Sequence, residues 1–149
     1  MRVFLLAMPL LIACGPAAHQ TPCGIDVDGS PSSLTSEGLQ SAVRAALRGA
    51  TFTTDPALAD PAANCKAMEG FTVYTRPTPT FIDEGEEVFG ATRCWRFEVI
   101  VGTPESGEWR LSGLVHELFH VMQRCAPGHA NWERDGIFFG IGKSEDPSI

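Results

Sequence analysis

Residues 111–122, Leu-Ser-Gly-Leu-Val-His-Glu-Leu-Phe-His-Val-Met, set Leu111, Leu114, Val115, Leu118, Phe119 and Met122 at i, i+3, i+4, i+7, i+8 and i+11. That spacing is one continuous apolar stripe of an α-helix and predicts a helix over residues 108–124. His116 and His120, four residues apart, fall on one face of it, one turn above the other and off the stripe. Glu117 lies about 100° further round the axis. Two imidazoles that can meet one metal ion, with a carboxylate beside them, are therefore carried on a helix whose opposite side belongs to a core.

Working outward, residues 94–101 (Cys-Trp-Arg-Phe-Glu-Val-Ile-Val) have the strongest strand composition in the chain and are closed by Gly102 and Pro104. Residues 70–76 (Gly-Phe-Thr-Val-Tyr-Thr-Arg) alternate as a second strand, stopped by Pro77 and Pro79. Residues 80–87 read as a strand fragment followed by an acidic turn, Asp83-Glu84-Gly85-Glu86-Glu87. A solvated turn is the expectation there, with calcium or a basic substrate as the alternative. Leu39, Ala42, Val43, Ala46 and Leu47 recur at helical spacing after Ser36, the expected N-cap, so a first helix should end near Gly49. Residues 55–65, rich in Pro and Ala, read as a loop or a short helical turn. Beyond Ala126, Ile137, Phe138, Phe139 and Ile141 form an apolar patch broken by glycines, and a polar tail follows. The expected fold is α+β: one small domain over residues 34–149, with a short β-sheet packed against an N-terminal helix and the His-Glu-x-x-His helix. A chain of 149 residues, 44% hydrophobic, has enough material for one core, and nothing in it points to a second.

The first thirteen residues stand apart. Arg2 followed by the apolar run of residues 3–13 reads as an export signal, too short to span a bilayer as a stable helix. Its end, Leu11-Ile12-Ala13-Cys14, resembles the lipobox of bacterial lipoproteins. That resemblance implies cleavage before Cys14, lipidation of Cys14, and a protein held in the cell envelope by acyl chains. Residues 14–33, rich in Gly, Pro, Ser, Thr and Ala, then read as a tether tied down near Cys23, and His19 is a solvated residue of it.

Assigning Cys14 to lipid leaves Cys23, Cys65, Cys94 and Cys125, an even set suited to two disulfides in an oxidising compartment. Seven strand steps span about 23 Å and seventeen helical steps about 26 Å. An antiparallel strand and helix would therefore bring Cys94 to Cys125 and leave Cys23 to pair with Cys65. Four cysteines permit three pairings, and the other two remain open. The chain carries a formal charge of −7, and removal of residues 1–13 takes away Arg2 and no acid. Nucleic acid is accordingly an unfavourable partner, and net charge also argues against attraction to anionic lipid, so membrane attachment is expected from the lipid on Cys14.

The chemistry of the helix suits Zn²⁺. Neutral imidazole nitrogens bind it well, and three protein ligands leave a fourth position for water. Zinc lowers that water's pKa to about 7 and polarises a carbonyl, and Glu117 stands where a general base takes the proton and passes it to a leaving amine.

His116-Glu117-Leu118-Phe119-His120, preceded by Leu114-Val115 and a good strand, resembles the active-site helix of the zincin metallopeptidases. The resemblance covers roughly residues 94–136. It implies a zinc metallopeptidase acting on peptide or protein substrates, with the strand before the helix, here residues 95–101, pairing with an extended substrate. Metzincins are disfavoured, because Gln123 and Ala126 stand where that subfamily has Gly and His. His129, in Gly128-His129-Ala130-Asn131-Trp132, resembles the third-ligand segment of SprT-like small zincins, though spacing and aromatic position differ. His129 is the expected third ligand, with Glu133 as the alternative and Asp135 behind it. Tyr74 and Arg134 can be considered as oxyanion donors, but strand packing and solvation account for them better. Two other functions compete: a non-catalytic metal-binding or structural envelope lipoprotein, and a zinc hydrolase acting on a small-molecule amide.

Overall fold

A computed structural model describes residues 22–28, 34–105 and 113–126. Within them the chain is a mixed α/β structure of three α-helices and two small sheets. The first strand, β1 (Asp26–Val27), lies inside the segment read as tether, and it is fixed by pairing in parallel with β2 (Thr72–Arg76). The helix α1 (Ser36–Ala50) begins at the residue expected to cap it. Thr35, not Ser36, is the N-cap, and its hydroxyl accepts from the Gly38 amide at 3.0 Å. Leu39, Ala42, Val43, Ala45 and Ala46 face inward while Arg44 and Arg48 stay exposed, as the 3.6-residue period requires.

Residues 55–67 are more regular than their composition suggested. Asp55 caps a 3-10 turn over Pro56–Leu58, and Asp60 caps α2 (Pro61–Ala67) by accepting from the Ala62 amide at 2.9 Å. Both carry Pro near the start, where a missing amide hydrogen is harmless. The Cys23–Cys65 disulfide, with Cα atoms 4.9 Å apart, ties the N-terminal segment to α2.

The acidic run forms a hairpin. β3 (Phe81–Asp83) and β4 (Glu86–Val88) are joined by Glu84 and Gly85, both at positive φ (49° and 91°), as a two-residue turn of the I′ kind requires. Asp83 is taken up by an ion pair with Arg93, and Glu87 accepts from the Thr80 hydroxyl at 2.7 Å. The chain then enters β5 (Gly90–Arg93), a strand absent from the sequence reading.

The expected strand over residues 94–101 is only half present. Cys94–Arg96 is a 3-10 turn, Phe97 takes a left-handed conformation (φ 55°), and the strand proper is β6 (Glu98–Gly102). The main sheet has the order β1-β2-β6-β5, with β6 parallel to β2 and antiparallel to β5. Val73, Val99 and Val101 lie on the face that joins the helical core, together with Leu114, Val115, Leu118, Phe119 and Met122 of α3 (Gly113–Met122). The N-terminal part of the helix expected over residues 108–124, including Leu111, lies outside the described residues.

After Met122 the chain turns through Arg124 and Cys125, both left-handed (φ 53° and 57°), and the Cys125 amide donates to the His120 carbonyl at 3.0 Å. This is the closing bond of a Schellman-type cap built without glycine. Cys125 is bonded to Cys94, with Cα atoms 6.2 Å apart, so the end of α3 is fastened to the turn that precedes β6.

Gly102 ends β6 directly beneath the carbonyl of Pro79, which a Cβ at this position would overlap. Backbone, not a flexible side chain, is the obstacle. Gly102→Ala should therefore lower the unfolding free energy by about 3 kcal/mol or more, measured by urea denaturation, whereas an unchanged midpoint would show that this approach does not constrain the fold.

Candidate metal centre

α3 packs on α1, β5 and β6, and its buried side consists of Leu114, Val115, Leu118, Phe119, Val121 and Met122. Its remaining, polar line carries the site, with Glu117 buried beside it. His116 and His120 are half-buried, their Nε2 atoms lie 3.1 Å apart, and their rings meet edge-on at a centroid distance of 4.9 Å. The spacing of four residues along the helix produces this directly. One ligand atom from each of His116, Glu117 and His120 falls within 4.8 Å of the others, a group able to hold a metal ion. Two nitrogens at 2.0–2.1 Å from a tetrahedral zinc stand roughly 3.3 Å apart, so the imidazole pair matches that donor set with little adjustment.

Glu117 differs from its expected setting in being buried, at 5% exposure. The reason is β5. Gly90 and Thr92, two residues apart on one face of the strand, form a seat for its side chain. A Cβ on Gly90 would stand 2.7 Å from Glu117 Cγ and 2.8 Å from Oε1, so only glycine leaves room for the carboxylate. Thr92 Oγ1 donates to Glu117 Oε2 at 2.6 Å and also lies 3.2 Å from the Glu117 carbonyl oxygen. The hydroxyl has one hydrogen and two lone pairs. It donates to the carboxylate when Glu117 is ionised. When Glu117 is protonated, it accepts from the acid and turns its own hydrogen to the carbonyl.

Burial raises the Glu117 pKa from 4.5 to about 7, against the Thr92 hydrogen bond, which favours the ionised form; the negative charge of Asp83 adds to the rise. Asp83 is tied to β5 by its ion pair with Arg93, with Glu98 3.9 Å from the same guanidinium. The hairpin's acidic turn thus has a structural use and an electrostatic influence on Glu117.

The strand expected to pair with substrate, residues 95–101, is not available for it. β6 is hydrogen-bonded to β2 on one side and β5 on the other, and residues 95–97 are not strand. Among the described residues the sheet edge next to the helix is that of β5. Tyr74 pairs with Ile100, which in turn pairs with Ala91, a row alternating with the Val73, Val99 and Thr92 row that faces α3. It therefore lies on the far side of the sheet from Glu117. His129, Glu133, Arg134 and Asp135, and Cys14 with the export segment, lie outside the described residues.

Gly90, Thr92 and Asp83 are contributors that sequence reasoning missed. The four-residue run Gly-Ala-Thr-Arg before Cys94 is a weak strand signal, and nothing local marks Gly90 as facing residue 117. No protein-family model, curated protein or solved structure matches the chain.

The Glu117 shift has a signed consequence for the metal-free chain. Between pH 4.5 and about 7 the folded protein holds a proton that the unfolded chain has released, so stability falls as pH rises through that window. The full loss, reached above the folded pKa, is about 3 kcal/mol. Urea denaturation in the presence of a chelator should show Glu117→Gln gaining on the parent protein across this window, and parallel pH profiles for the two would refute the assigned burial.

Proposed function

We propose that the chain is a zinc-dependent hydrolase of the zincin kind, acting on peptide bonds. The observation that carries the proposal is the imidazole pair at 3.1 Å with the Glu117 carboxylate in the same cluster. His116 and His120 would hold the metal, with His129 as third ligand and Glu133 as the alternative. Bound zinc supplies Lewis acidity toward a carbonyl oxygen and acidifies water.

The chain's own residues account for the proton transfers. A carboxyl group with a pKa of about 7 exchanges a proton readily at neutral pH. Glu117 accepts a proton from the attacking water and returns it to the departing amine. Thr92 remains hydrogen-bonded to it in both states, so the carboxyl group does not lose its place when it titrates. Purely structural metal retention has no need of a carboxylate buried beside the ligands, where desolvation is unfavourable.

Peptide is favoured over a small amide by the edge of β5. Among the described residues β5 is an edge strand, and such a strand offers unpaired backbone N–H and C=O groups to an extended chain; this one also carries the seat of the base. The substrate-pairing strand is therefore proposed as residues 90–93 rather than 95–101. Two disulfides support an oxidising, exported setting. Within it, attachment through lipid on Cys14 is proposed, placing the domain at the bacterial cell envelope.

Glu117→Gln should retain zinc and lose casein hydrolysis by at least about 100-fold, the scale of general-base catalysis. Thr92→Val should lower kcat with KM little changed, and Thr92→Ser should restore it. Unaltered hydrolysis by zinc-loaded Glu117→Gln would remove the mechanism.

A further inference from the structure

A cleft of about 440 Å³ lies at the C-terminal end of α3, bounded by α2, the Cys94–Cys125 disulfide and the turn that follows Cys94. Its walls are Phe71, Phe97, Val121 and alanines of α2, and the two charged groups lining it are both cations, Lys66 and Arg124. This is unexpected on a chain of formal charge −7. Neither cation is held in an ion pair among the described residues. Glu98, next to Phe97 at the edge of this region, stands 3.9 Å from Arg93.

The same region exposes aromatic surface. Phe97, held left-handed and edge-on to Phe71, is 54% exposed, and Trp95 in the adjoining turn is 72% exposed. Arg96 between them is exposed as well. Aromatic rings together with cations that no described carboxylate pairs with are the composition of a surface that settles at the boundary between headgroups and acyl chains.

The path of the chain places this face near a bilayer. Cys23 is bonded to Cys65, and the next residue, Lys66, lines the cleft. Cys14 precedes Cys23 by nine residues, which fully extended reach roughly 30 Å. With lipid on Cys14, the face beside Cys65 is kept close to the membrane at a high effective concentration, so weak contacts suffice.

We propose that this face docks on an anionic phospholipid surface, with lipid phosphates between Lys66 and Arg124 and the Trp95 and Phe97 rings at the acyl boundary. The tethering part rests on lipidation of Cys14; the docking face does not. Net charge argues against such binding only for the surface as a whole, whereas lipid contacts one local patch within a Debye length.

The test uses the chain from residue 14 onward with Cys14→Ser and both disulfides intact, so that no acyl chain contributes. Co-sedimentation should show binding to phosphatidylglycerol-containing vesicles, weakening with salt, and little binding to pure phosphatidylcholine. Each cation near such a surface is worth a factor of about five, so Lys66→Gln combined with Arg124→Gln should lower partitioning about 25-fold. Trp95→Ala should lower it further, and Trp95→Phe should retain most of it. All these positions are exposed, so the fold should survive, with far-UV circular dichroism as the check. Absence of vesicle binding, equal binding to both lipids, or indifference to the substitutions would overturn the proposal. Self-association abolished by the same substitutions, without vesicle binding, would overturn it too and assign the face to a second copy of the chain.

Discussion

The close approach of β5 to α3 at Glu117 is the constraint on which the candidate site depends. A carboxylate taken out of water is unfavourable unless hydrogen bonds compensate it. Here one strand provides both space and a partner: Gly90 leaves the volume that any side chain would fill, and Thr92 donates at 2.6 Å. Because the two residues share a face of β5, their action is joint. Sliding β5 by one residue would put Ala91 and Arg93 against the carboxylate instead. The antiparallel register Gly90↔Val101 and Thr92↔Val99 is thus as much a part of the site as the helix that carries the histidines.

That register is secured from several directions. The Cys94–Cys125 disulfide joins the chain just after β5 to the end of α3, closing a loop of sequence separation 31. Loops of this size restrict the unfolded chain by about 3–4 kcal/mol in the entropic account. Arg93 fastens β5 to the hairpin through Asp83. Two left-handed, non-glycine residues, Arg124 and Cys125, turn the chain so that the sulfur atoms meet. Such conformations are intrinsically unfavourable by about 1 kcal/mol or more each, and the covalent bond with the Cys125–His120 backbone bond maintains them.

Much of this was legible in the sequence where a period or a cap speaks for itself. The stripe through Leu114, Val115, Leu118, Phe119 and Met122 defines α3, and the alternation in residues 72–76 defines β2. The repeated Asp-Pro-Ala at 55–57 and 60–62 is a legible helix-start signal whose force was underrated; each Asp caps a turn that begins with Pro. Other features are set by tertiary partners and leave little local trace. β1 is two residues long and exists because β2 offers an edge. The Cys94–Val101 run has strand composition, yet residues 94–97 form a turn that carries Cys94 to the helix end and Phe97 onto Phe71. The position of Glu117 beside the histidines was legible from the helix alone, but its burial was not, because that depends on which strand crosses it and in what register.

Zinc binding by the oxidised, metal-free chain tests the central claim most directly. Calorimetric titration should find one equivalent of Zn²⁺ bound, with proton release if His116 and His120 are partly protonated beforehand. Affinity should collapse in His116→Ala and His120→Ala while both disulfides and the fold persist. A folded, correctly bonded chain that takes up no zinc, or binds it equally well without these two imidazoles, would contradict the account.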